Sequence, residues 1–153
     1  MLEELLTVKR RREDDAIAAL AQARRALEQQ QSLLEAKRRE LEEYKAWRRE
    51  EAERLFEAVR KQEVSRAKLE RYRQEVALLQ QREAQLGEEL IAAERDVEAA
   101  KSNVAQAERQ RMDAHKAVVK FEEYQKQVFE DEATEASRRE EAELEDVTTG
   151  RRG

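Results

Sequence analysis

Apolar side chains recur every seven residues at Leu6, Leu20, Leu27, Leu34, Leu41, Leu55, Leu69 and Val76, then at Leu90, Val97, Val104 and Val118. A second line runs three residues behind the first. It holds Ala16, Ala23, Tyr44, Ala58, Tyr72, Leu79 and Leu86, then Ala93, Ala100, Ala107, Ala114, Phe121 and Val128. A seam with three- and four-residue steps sustained this long predicts a coiled coil of long helices. Polar residues interrupt it at positions that include Glu13, Gln30, Lys37, Arg48, Glu51, Gln62, Glu83, Arg111 and Gln125.

The two halves of the seam are complementary. The first has leucines on one line and small or polar residues on the other; the second has four consecutive alanines at Ala93, Ala100, Ala107 and Ala114. Folding the chain back so that facing residue numbers sum to about 141 sets large against small, as dense packing requires. That register places Leu27 on Ala114, Leu34 on Ala107, Leu41 on Ala100, Tyr44 on Val97 and Leu55 on Leu86. Gln30 then meets Arg111, and Lys37 meets Val104 with room to reach water. A slip of one heptad would oppose Glu51 with Glu83 or Lys37 with Arg111, so like charges disfavour both neighbouring registers.

The expected architecture is therefore all-α, a long two-helix antiparallel coiled-coil hairpin within one chain. A parallel dimer of one unbroken helix is the alternative. It would stack Lys37, Glu51 and Arg111 each on its own copy, with alanine on alanine for four layers. The first arm is expected over 1–62, the crossover over 63–87, the second arm over 88–140, and an acidic, partly disordered tail over 141–153. No glycine or proline marks the bend. Ser65 is the best helix-start signal, and Gly87 could relax a second joint. The crossover is either a simple turn or a short tip helix within "SRAKLERYRQEVALLQ". The basic run Lys9 to Arg12 is expected beside Glu130, Asp131 and Glu132.

Composition narrows the functional classes. Of the 153 residues 44% are charged and 5% aromatic, with three glycines and no proline or cysteine. The absence of cysteine excludes a disulfide framework and thiolate metal sites. No apolar run approaches the length of a membrane span, so membrane insertion is not expected. Residues 1–60 hold 14 basic and 14 acidic side chains, residues 61–128 hold 13 of each, and residues 129–153 hold 4 basic and 9 acidic. A balanced body with an acidic end is a poor nucleic-acid ligand, because counterion release needs a positive face.

The sequence gathers no catalytic constellation, so neither an enzyme nor a cofactor is expected. His115 is a lone imidazole beside the seam, and carboxylate pairs such as Asp14–Asp15 suit a solvated helical face. What remains is apolar surface off the seam. Leu5, Val8 and Ile17 lie near the open end, and Trp47, Phe56, Val59, Val64, Leu78 and Ile91 toward the tip. The second group either packs on a short tip helix or forms a docking patch, with Trp47 its strongest anchor.

The segments "LLTVKRRREDDA", "YKAWRREEAERLF", "LERYRQEVALLQQREAQL", "KFEEYQKQ" and "EEAELEDV", in this order, resemble the YscO family of type III secretion stalk proteins, which is FliJ-like. The resemblance implies a monomeric stalk, similar to the central stalk of rotary ATP synthases, at the cytoplasmic face of an injectisome. Its implied partners are the hexameric type III secretion ATPase, the export-gate protein and secretion chaperones. By analogy, Leu2, Leu5, Leu6, Lys9, Arg10, Arg11, Arg12 and Phe129 would meet the ATPase. Trp47, Phe56, Tyr72, Val76, Leu78 and Leu79 would meet the gate or another partner. A general coiled-coil tether without effect on an ATPase is the competing expectation.

Overall fold

The computed structural model describes residues 1–61, 63 and 65–152, apart from the side chains of 151 and 152. Helix α1 spans Leu2–Arg60 and helix α2 spans Arg66–Arg152, and they pack antiparallel. No strand occurs among the described residues. Without proline, and with glycine at few positions, nothing inside either helix interrupts the backbone ladder. Glu3 and Glu4 complement the positive start of α1, and Arg60 its negative end. Ser65 caps α2 as its position predicts: its Oγ accepts from the Lys68 N–H at 3.4 Å, and its carbonyl accepts from the Leu69 N–H at 3.1 Å.

The chain divides into two compact units. Unit 2, Ala21–Gln106, contains the turn. Leu41, Leu86, Ala93, Val97 and Ala100 are buried there, and Leu27, Leu34, Leu55 and Leu90 are half-buried. Every one of them is a predicted seam position. The helices are tied across by the Tyr44 hydroxyl, which donates to the Leu79 carbonyl at 2.9 Å, and by Lys37–Glu89 at 3.0 Å. Arg82–Glu40 adds an ion pair at 3.7 Å. Arg48 Nε lies 2.6 Å from Glu83, an ion pair without hydrogen-bond alignment.

These pairs correct the register. Their residue numbers sum to between 122 and 131 rather than to 141, a slip of about two heptads. Leu41–Ala100, Tyr44–Val97 and Leu55–Leu86 are therefore not the facing pairs. Gln30 does not bond Arg111 either, since its Oε1 is buried without a hydrogen-bond partner. The turn is the cause. α1 stops at Arg60 and α2 restarts at Arg66, so only residues 61–65 separate the helices, and just 63–65 fall in the expected 63–87 window. A connection this short fixes which residues face each other, whatever the seam would prefer elsewhere.

No described residue of the turn has positive φ. Gln62 and Val64 lie outside the described residues. Among the described residues there is no separate tip helix, because "RAKLERYRQEVALLQ" forms the first turns of α2. Gly87 makes no joint: it sits within the unbroken α2, and a Cβ added there would meet nothing within 4 Å.

Unit 1 combines Met1–Leu20 with Ala107–Gly153. Leu6, Leu20, Ala107 and Val118 form its buried seam. Arg10 pairs with Glu122 at 3.3 Å, Glu13 with His115 at 2.9 Å, and the Lys9 ammonium sits 5.6 Å from the centre of the Phe121 ring. The basic run thus lies beside Glu122, not beside Glu130 to Glu132, which is the register correction again. From Phe129 to Gly150 every residue is exposed, yet α2 stays helical to Arg152 where partial disorder is expected from sequence. Ala, Glu, Arg and Leu dominate 135–145, and the Arg139–Glu135 pair at 3.1 Å adds to their helix preference.

Candidate functional site

Unit 1 presents its predicted contact residues on both helices. Leu6 is in the seam and Leu2 is half-buried, so these two hold the helices together at this end. Leu2 also shares a shallow groove of about 420 Å³ with Val128, Phe129 and Glu132. Phe129 is 72% exposed and Leu5 is 50% exposed, so both are available to a partner. Arg11 and Arg12 are exposed, whereas Arg10 and Lys9 are engaged by Glu122 and Phe121. The predicted group is brought together, but it divides into packing residues and presenting residues.

Unit 2 gathers Trp47, Leu78 and Leu79 around one groove with Leu55, Glu51 and Arg54. The Trp47 ring packs 5.6 Å, centroid to centroid, from Tyr44, whose hydroxyl is fixed on α2. That contact orients the indole while leaving about half of it, 49%, exposed. Phe56 and Leu78 are also exposed, whereas Tyr72 and Val76 are half-buried in the seam. The patch is therefore Trp47, Phe56 and Leu78 laid over a seam that Tyr72, Val76 and Leu79 help build.

Charge is organised around this surface. The Arg54 guanidinium, hydrogen-bonded to Glu51, holds that carboxyl below its usual range. Away from this groove, Lys37 is pushed above the usual lysine value, chiefly by its hydrogen bond to Glu89 and that carboxylate's charge.

A second groove nearer the turn, lined by Leu55, Ala58, Val59, Lys68, Arg71, Tyr72 and Glu75, is missing from the expectations. It depends on where the turn falls. Another lies on the exposed end of α2, lined by Glu140, Glu143, Leu144 and Val147. Its two apolar residues are visible in the sequence, but only the lapse of the seam distinguishes them. No group of three or more His, Cys, Asp or Glu able to hold a metal occurs among the described residues. No helix among them is long and apolar enough to cross a membrane.

Two long antiparallel helices, with open grooves and exposed aromatic and charged faces, define a coiled-coil hairpin whose chemistry lies in its surfaces. The family model for type III secretion protein YscO matches residues 2–149. The fold is similar to the crystal structure of type III secretion protein YscO from Vibrio parahaemolyticus, with a TM-score of 0.90 and 32% identity, covering 95% of this chain and 92% of that one. No curated protein matches the chain. The chain belongs to the YscO family and is a type III secretion component.

Proposed function

We propose that the protein is a non-catalytic central-stalk component that binds the secretion ATPase, promotes its assembly or activity, and links it to the export gate and chaperones at the cytoplasmic face of the apparatus. The observation that carries this reading is the family match across residues 2–149, on a hairpin with two separate presenting surfaces. The unit 1 surface, with Leu5, Arg11, Arg12 and Phe129, is assigned to the ATPase. The Trp47, Phe56 and Leu78 patch is assigned to the gate or a chaperone.

The physics of the role is simple. Two helices lack six-fold symmetry, so a hairpin inside a six-membered ring cannot touch all subunits alike. Unequal contact favours closure of some subunits on nucleotide over others, which shifts their populations.

The test is hydrolysis and hexamer formation by the purified cognate ATPase with and without this protein. Stimulation is expected, and it should be lost on R10E/R11E/R12E. No change on adding the wild-type protein overturns the reading. Stimulation that survives the triple reversal points instead to a tether that merely spaces its partners.

A further inference from the structure

Two of the grooves are opposite in charge and alike in plan. On the exposed end of α2, Leu144 and Val147 lie beside Glu140 and Glu143 in one shallow depression. These two apolar residues are 67% and 57% exposed. The surrounding stretch, 129–150, holds nine carboxylates against two arginines. Beyond Glu132 every residue up to Gly150 is exposed. An apolar face on such a helix gains most from a cationic partner.

The groove beside the turn has the opposite character. Leu55, Val59 and Tyr72 supply its apolar lining and Arg71 its rim, with Lys68 alongside. The stretch 54–75 holds seven basic and four acidic side chains. Glu75 also lines the groove, opposite in charge to Lys68 and Arg71.

Charge decides which self-contact can form. Two turn ends bring cations together, and two α2 ends bring nine carboxylates against nine. Only the pairing of one turn groove with one α2 end joins opposite charges and covers apolar surface on both sides. We propose that the protein associates with a second copy of itself in this way, turn groove to α2 end. The Leu144 and Val147 face of one copy seats on Leu55, Val59 and Tyr72 of the other, with Glu140 and Glu143 beside Arg71.

The contact joins unlike surfaces, so each copy offers one groove and one α2 end to other copies. Each side offers two or three anchors, far fewer than the ~20 residues per side of a standard stable interface. The association is therefore weak, salt-sensitive and easily displaced by a partner that takes either surface. It needs only this chain and does not rest on the stalk reading.

Sedimentation velocity on the full chain tests it, at concentrations from tens of micromolar to about 1 mM and at low and high salt. At low salt the weight-average mass should climb above 18.0 kDa with concentration and fall back at high salt. R71E and L144E should each weaken association about tenfold or more, with helicity by circular dichroism unchanged. Mixing R71E with E140R/E143R should restore it, because the reversed groove then meets a reversed helix. A mass fixed at the monomer throughout, or association indifferent to both single substitutions, overturns the proposal.

Discussion

At the scale of single residues, the seam's polar positions show what specificity costs. Gln30 is half-buried with its Oε1 unpartnered, and an unmet buried acceptor costs about 1–3 kcal/mol. Gln30→Leu should therefore raise the midpoint of thermal unfolding, by a stabilisation of about 1 kcal/mol. A lowered midpoint would mean that the amide has a partner in solution. Lys37 behaves differently, because Glu89 and Glu40 accept its charge at 3.0 and 3.6 Å. Its value in the folded chain is raised above the ordinary 10.5, so the pair's contribution is present at neutral pH. That contribution is lost as pH climbs past 10.5 and through the folded value. Lys37→Met should flatten the fall in melting temperature over that alkaline window. An equally steep fall in the variant would assign the alkaline sensitivity to other groups.

At the scale of elements, the sequence declares which residues face inward but not which face one another. Every buried residue of both units, from Leu6 to Val118, stands on a seven-residue line that can be read off the chain, because a long helix without proline keeps its period. Register carries no such periodic mark. Leucine over alanine is satisfied nearly as well after a slip of whole heptads, so the turn decides, and this turn contains neither glycine nor proline. Ser65 was the readable signal, and taking it as the boundary places residue 60 opposite 66. The exposed positions Glu40 and Arg82, an ion pair in unit 2, give the measurement. Spin labels at 40 and 82 should lie close, whereas labels at 40 and 101 should be separated by a further ~28 Å along the helix, at ~1.5 Å per residue. Close approach of 40 and 101 instead would restore the register read from the seam alone. The docking surfaces were legible in the same partial way. Trp47 and Phe56 stand out as large side chains off the seam, but the grooves around them exist only once the register is set.

At the scale of the whole molecule, charge and stability are assigned to different parts of the chain. The formal net charge of −5 arises beyond residue 128, where nine acidic side chains outnumber four basic ones, and from Phe129 to Gly150 no residue is buried. A helix in a folded protein draws most of its stability from packing, so this stretch should contribute little to global unfolding. A chain ending at Glu132 should melt within about 2 °C of the full one, the shift expected from a change below ~1 kcal/mol in a protein of this size. Calorimetry on the two chains measures it, and a loss of more than about 5 °C would require packing on the removed segment. The same truncation should abolish the concentration-dependent mass increase, because it removes Leu144, Val147 and their flanking carboxylates. Stability retained while association is lost would separate the two roles of α2 cleanly. A structural role for the tail would move both together, and a tail with no role would move neither.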